Sequence, residues 1–382
     1  MRSARGTRER SHDHAASPAE RRATGSLNRL HETDLHLEPN EASDLCPVGA
    51  PRVLERRGWD RAFVTVLDEA HAEDALALLG HDAGAEPGEG WHAERIHLDP
   101  ESGAGKTQDA EACARRDGHI YALGSQFGSK AGPLSPSRSW IARVPEADLG
   151  GDGAAPLQIA RLRFGLHRAV NDALARSGIE LIERGPLTTE RYIDATIARG
   201  AAKSKRWAGR VTAADHPINV EGIEFRASGR LLLGLRYPVS ADGHPLLVEL
   251  DDVEALFADP DAVPSCSHVW ELENAGDRDE PTGIRALHTE GDDVFDAVVG
   301  DLDAAGKGAT ILADHPAGGR AASRHVRFSL PLVAGGGAVQ VDTVHEFGAV
   351  KRVEGIALAP DGHAHYVIDE EGHVALRTLL LE

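Results

Sequence analysis

VEGIEFRASGRLLLGLRYP (residues 220–238) and VEGIALAPDGHAHYVIDEE (residues 353–371) are two versions of one pattern. Each opens on Val-Glu-Gly-Ile, passes a turn carrying Gly229 or Gly362, and closes on a second apolar run. Two short β-patterned runs around a turn glycine predict a β-hairpin. The pattern recurs in DAEACARRDGHIYALGSQ (109–126), around Gly118, and more weakly in TGIRALHTEGDDVFDAVVGD (282–301), around Gly291. A fifth copy keeps only its second strand: AFVTVLDEA (62–70) resembles HYVIDEEGH (365–373). Hairpins recurring along a chain are the mark of a repeat architecture.

The spacing between copies selects the architecture. Solenoid repeats are shorter and more regular than these. A propeller blade needs about 40–50 residues, and the longer, uneven intervals here leave room for insertions. Ring closure would also protect the strand edges. The expected fold is therefore all-β: a β-propeller of five or six blades with helical insertions between blades. Residues 1–45, polar and basic at their start, read as a disordered tail, and 46–382 as a single propeller domain. An insertion at about 156–210 is expected to be helical. ARLRFGLHRAVNDALARSG places Leu162, Leu166, Val170 and Leu174 at helical spacing before Gly178, and TTERYIDATIARGAAKSKRW opens on capping threonines. LDDVEALFADPD, from Leu250, reads as a short connecting helix.

The stretch DPESGAGKTQD (99–109) contains GAGKT, the ending of a phosphate-binding loop. The full pattern needs a glycine, four residues and then Gly105-Lys106, and the first position holds Pro100, which has no N–H to donate. A helix must also follow, whereas the next residues belong to a repeat hairpin. No nucleotide is expected at Gly105-Lys106-Thr107.

Composition narrows the function. Net charge is −20 over 382 residues, so nucleic acid and anionic membrane are unfavourable partners, while cations are attracted. Aromatic residues are 4% of the chain, which leaves Val, Leu, Ile and Ala to fill the core, and 41 Gly with 20 Pro suit a turn-rich β protein. Cys46, Cys113 and Cys266 are far apart in sequence and form neither a zinc motif nor a disulfide framework. No run is long or apolar enough to span a membrane, and the N-terminus has no apolar core of a secretory signal. These readings predict a cytoplasmic monomer whose ligand is a small anionic molecule or a protein.

Taken together, LDE (67–69), DAEA…GHIYALGS (109–125), INVEGIEF…GRLLLGLR (218–236), TGIRAL (282–287) and VEGIALAPDGHAHYVID (353–369) resemble a bacterial β-propeller family. That family is catalogued as a domain of unknown function and is loosely similar to esterase-like phytases. The resemblance runs from about Trp59 to the C-terminus and thins across 145–210 and 300–349. Ala112 departs from the pattern, standing where the other copies place a glycine after the glutamate. The resemblance implies a propeller and, by analogy with related hydrolases, a Ca2+ site. It supplies no settled reaction.

The matched positions supply the candidate site. First strands of propeller blades line the central channel, so Glu111, Glu221 and Glu354 are expected to converge on the axis. Carboxylates sharing a cavity repel and need a cation, a shared proton or an arginine. The alternative is that each glutamate bonds backbone N–H groups within its own blade. The ends of the second strands form another set, in which Asp68 and Asp369 are further metal-ligand candidates. Hard oxygen ligands suit Ca2+, and Mg2+ less well. Arg236 and Arg285 are candidates to clamp an anionic group, or else to neutralise the glutamates. Two functions follow. One is a divalent-cation-dependent hydrolase of a phosphate or carboxylate ester. The other is a non-catalytic propeller that binds a ligand or protein.

Overall fold

The computed structural model describes residues 30–37, 42–101, 105–151, 153–304, 306, 308–332, 335–370 and 373–381. Strand β1 (Leu30–Leu35) stands apart from its neighbours in sequence, as shown below. A first sheet runs β2 (Ala42–Pro47), β3 (Trp59–Leu67), β4 (Leu76–Asp82) and β5 (Trp91–Arg95). The second adds β6 (Leu98–Pro100) to the far side of β7 (Ala110–Arg116), β8 (His119–Gly124), β9 (Trp140–Pro145) and β10 (Ala155–Arg161). The third contains β11 (Asn219–Phe225), β12 (Leu231–Tyr237), β13 (Leu246–Leu250) and β14 (Cys266–Glu273). The fourth contains β15 (Gly283–Gly291), β16 (Val294–Gly300) and β17 (Arg324–Ser329). The chain then lends β18 (Gly337–Gln340) to the third sheet and returns as β19 (Asp342–Glu346) to complete the fourth. The last sheet holds β20 (Val353–Leu358), β21 (His363–Glu370) and β22 (His373–Leu380), and its fourth strand is β1.

The chain is thus mostly β. The five first strands pack in a cycle, β2 on β7, β7 on β11, β11 on β15, β15 on β20 and β20 back on β2. Apolar clusters fill the spaces between successive sheets. Ile223 and Leu233 of the third meet Tyr121 and Leu123 of the second, and Ile284 and Leu287 of the fourth meet Leu232 and Leu247. Consecutive sheets therefore bury their apolar faces against one another.

Every first strand slips register at one corresponding place, and β11 and β15 each slip a second time. The pairing omits Asp44, Glu111, Glu221, Arg285 and Glu354 in turn, each a β-bulge at the corresponding place. A bulge leaves one residue outside the ladder and re-aims its side chain. Here the re-aimed residue is charged in all five sheets. After Glu221 and Glu354 comes a glycine where the neighbouring strand packs close: a Cβ on Gly222 would stand 3.0 Å from the Ala286 carbonyl carbon.

Several boundaries differ from the sequence expectation. The proposed tail through residue 45 contains all of β1 and most of β2, the missing first strand of the fifth copy; residues 1–29 lie outside the described part. Ala42–Pro47 carries Asp44 and a proline and lacks the aliphatic alternation that marks the other first strands. β10 takes Ala155–Arg161, so the helical insertion starts later, with Gly165–Ser177 burying Leu166, Val170 and Leu174; Leu162 sits in the turn before it. After Lys106-Thr107 the chain enters β7, not a helix. Thr107 is buried and its hydroxyl accepts the Ala72 N–H at 2.9 Å, which pins the loop to the first sheet.

Candidate functional site

The bulges open onto a cavity of about 770 Å3 whose wall includes Glu111, Glu221, Arg285 and Glu354. The fifth bulge residue, Asp44, takes a left-handed φ of 54° and turns elsewhere: its carboxylate accepts the N–H groups of Leu45 and Cys113, each at 2.9 Å.

One half of the cavity is internally compensated. Arg236 Nη1 donates to Glu221 Oε1 at 2.7 Å, and its Nη2 and Nε donate to Asp301 Oδ1 at 2.7 Å and to the Asp301 carbonyl at 3.0 Å. Arg285 donates from Nη1 to Asp301 Oδ1 at 2.8 Å, pairs through Nη2 with Glu354, and sets Nε 2.8 Å from Glu221 Oε2. Burial works against both guanidinium charges, yet the surrounding carboxylates hold both pKa values above the ordinary arginine value. Of the two roles expected for these arginines, neutralising the glutamates is the one their contacts describe. Every Arg236 nitrogen and every Arg285 nitrogen faces a protein oxygen.

The other half gathers acid. Asp68 closes β3, Asp109 precedes β7 and Glu111 is the β7 bulge residue, and one oxygen from each lies within 4.8 Å of the others. Asp109, at φ 63°, accepts Arg138 Nη1 at 2.6 Å and the Ser125 hydroxyl. Asp68 Oδ1 accepts the Glu69 N–H at 2.6 Å. Burial first, then the repulsion of Asp109 and Glu354, drives the Asp68 carboxyl well above its usual range. Burial, then Asp68 and Asp109, does the same to Glu111. Asp109 is also raised by burial, against the pull of Arg138 and Ser125.

Two acceptor oxygens in the cavity lack a hydrogen-bond partner among the described residues. Asn219 is 8% exposed; its amide NH2 donates to Glu221 Oε1 at 3.0 Å, which fixes the amide orientation and leaves Oδ1 without a donor. Asp303, 7% exposed, leaves Oδ2 likewise. Buried acceptors without donors are costly, and a cation or ligand donor relieves that cost. Lys130, Lys351 and Arg352 stand on the exposed rim.

Of the residues singled out from sequence, Asp68, Glu111, Glu221, Glu354, Arg236 and Arg285 all border this one cavity. Asp369 pairs its backbone with Val374, and its side chain lies outside the described part. Asp109, Asp301, Asp303 and Asn219 were not anticipated. Asp109 precedes its strand in DAEA, and Asp301 ends the second strand of its copy, as Asp68 does. The repeat alignment contained both.

No known protein-family model matches the sequence, and a search of curated proteins returns no match. Among solved structures, the chain is similar to MPT-4, a mannose phosphorylase from Leishmania mexicana in complex with phosphate ion, at 8% identity and TM-score 0.41, covering 95% of this chain and 91% of that one. It is also similar to Pseudomonas fluorescens PhoX in complex with vanadate, a transition state analogue (9% identity, TM-score 0.42, 90% and 89% covered). A putative gluconolactonase gives 13% identity and TM-score 0.33, with 91% and 95% covered. Among the described residues, no helix is long and apolar enough to cross a membrane.

Proposed function

We propose that the five sheets are the blades of a closed five-bladed propeller, and that its axial cavity is the site of a divalent-cation-dependent hydrolase acting on a small anionic ester. The observation that carries this reading is the convergence of Asp68, Asp109 and Glu111 within 4.8 Å in a cavity that also holds the orphaned oxygens of Asn219 and Asp303. These are hard oxygen donors in a buried setting, which suits Ca2+ first and Mg2+ second. Asp68, Asp109 and Glu111 would hold the ion. A bound ion of this kind polarises a substrate oxygen and acidifies water.

The chain's own residues then divide the remaining work. Arg138 and Ser125 hold Asp109 in place, and Arg236 with Arg285 keeps Glu221, Asp301 and Glu354 from competing for the cation. Lys130 and Lys351, on the exposed rim, draw an anionic group toward the cavity. Arg236 and Arg285 are positioning residues in this scheme, since they are ion-paired with Glu221, Asp301 and Glu354.

The test is a thermal melt after EDTA and again with Ca2+, Mg2+ or Mn2+, followed by assays with p-nitrophenyl phosphate and p-nitrophenyl acetate. A ligand of the native state at a hundredfold excess over its Kd adds about 2.7 kcal/mol. A cation-specific rise that Glu111→Gln abolishes, together with cation-dependent hydrolysis, is the expected result. A rise without hydrolysis would leave a cation-binding, non-catalytic propeller. No rise with any ion would end the cation reading.

A further inference from the structure

A second cavity, of about 460 Å3, lies away from the axis, between the outer strand β10, the segment 206–210 of the helical insertion and the loop 256–262. It shares no lining residue with the axial cavity. In a chain of net charge −20, four arginines face it: Arg161, Arg163, Arg206 and Arg210.

Its geometry is built rather than incidental. Arg163 and Phe164 take consecutive left-handed conformations, φ 46° and 65°, which side-chain-bearing residues rarely adopt. Arg210 Nη1 fastens that kink by donating to the carbonyls of Leu162 at 2.8 Å and Arg163 at 3.1 Å. The helix Gly165–Ser177 starts directly after it with no side-chain cap. The floor is apolar. Trp207 is 7% exposed and packs edge-on against Phe164 with centroids 5.0 Å apart, and Phe257 borders the same space.

Three acids, Glu101, Asp259 and Asp261, line the same space. Asp259 Oδ1 accepts the Asp261 N–H at 2.9 Å, and Glu101 accepts the Gln158 amide at 3.0 Å. Arg163 and Arg206 have no ion-pair partner among the described residues. Burial, and then the charge of Arg163, lowers the Arg161 pKa.

We propose that this cavity is a second, cation-independent ligand site, which takes a small oxyanion, phosphate or carboxylate, carried on an apolar body. Arg163 and Arg206 bind the oxyanion through planar donor forks, and Trp207 and Phe257 cover the body.

The experiment is calorimetric titration of the full chain in EDTA, so that the axial cation plays no part. The probes are phenyl phosphate and benzoate, with inorganic phosphate as reference. The variants are Arg206→Gln, Arg163→Asn (asparagine tolerates the left-handed backbone) and Glu111→Gln. The expected result is saturable one-to-one binding of one aromatic probe, tighter than inorganic phosphate. It should be weakened about tenfold in each arginine variant and unchanged in Glu111→Gln. Which probe binds more tightly assigns the oxyanion. No saturable binding, binding that the arginine variants retain in full, or binding lost only in Glu111→Gln would overturn the proposal.

Discussion

Arg285 Nε, on the first strand of the fourth sheet, lies 2.8 Å from Glu221 Oε2, on the first strand of the third. Both are bulge residues, so the ion pair joins corresponding positions of adjacent sheets, and Arg285 occupies the place that holds an acid in the other four. Removing one partner of a buried pair leaves the other charge uncompensated, which costs about 3–5 kcal/mol. Arg285→Met should lose that much stability in urea denaturation, and adding Glu221→Gln to it should recover part of the loss. Additive losses would show that the two residues are not coupled.

The glycine after the bulge makes a steric prediction. A Cβ on Gly355 would meet Val367 Cγ2 at 2.5 Å and the Asp44 carbonyl carbon at 2.7 Å, so Gly355→Ala should cost about 1–3 kcal/mol by overpacking. Ala112 fills the equivalent position in the second sheet and is fully buried. Ala112→Gly should cost only about 0.5–1 kcal/mol, from added backbone freedom. Paired denaturant midpoints decide whether the two positions differ in this direction.

Glu224 supplies a pH prediction. Burial pushes its carboxyl up to about 8, against hydrogen bonds from the Phe225 and Thr289 backbones. The folded state therefore keeps a proton that the unfolded chain releases above its ordinary value of 4.5. The associated stability is fully present below 4.5, falls as pH rises toward 8, and is gone above it. Its size is on the order of 3–5 kcal/mol. Unfolding free energies at pH 6 and pH 8 should fall less steeply in Glu224→Gln than in the wild type; equal slopes would count against a raised carboxyl.

For the axial cavity, Asp109→Asn should remove the cation-dependent rise in Tm while raising Tm in EDTA, because it relieves repulsion among three buried acids. A fall in both conditions would mean that the Arg138–Asp109 contact at 2.6 Å outweighs that repulsion.

Sequence made the hairpins legible because each carries its turn glycine and two apolar runs. The same copies placed Glu111, Glu221 and Glu354 at equivalent points, and all three border one cavity. Their partners were harder to read. Asp109 enters through a left-handed residue ahead of its strand, and no periodicity marks such a position. Whether Arg236 clamps a ligand or neutralises Glu221 depends on a distance of 2.7 Å between side chains fifteen residues apart, which spacing alone leaves open. Strand β2 was missed because Asp44 and Pro47 interrupt the alternation, and its burial is imposed by β3 and β20 rather than by its own composition. Cys46 and Cys113, remote in sequence, place their thiols in contact across β2 and β7 for the same reason.

The pairing of β1 with β22 sets Leu30 opposite Leu379 and Leu35 opposite Val374. Almost the whole polypeptide must be made before the outermost ladder of the last sheet can form. The first, second and fourth sheets draw on neighbouring segments and the third waits only for β18, while Leu30–Leu35 waits through all of them with an unsatisfied edge. Contacts of such long sequence separation are slow to form. During that interval the edge of β22, or of β1 itself, is open to pairing with another chain. The seam that finishes the molecule is therefore also the place where its assembly is most exposed to error.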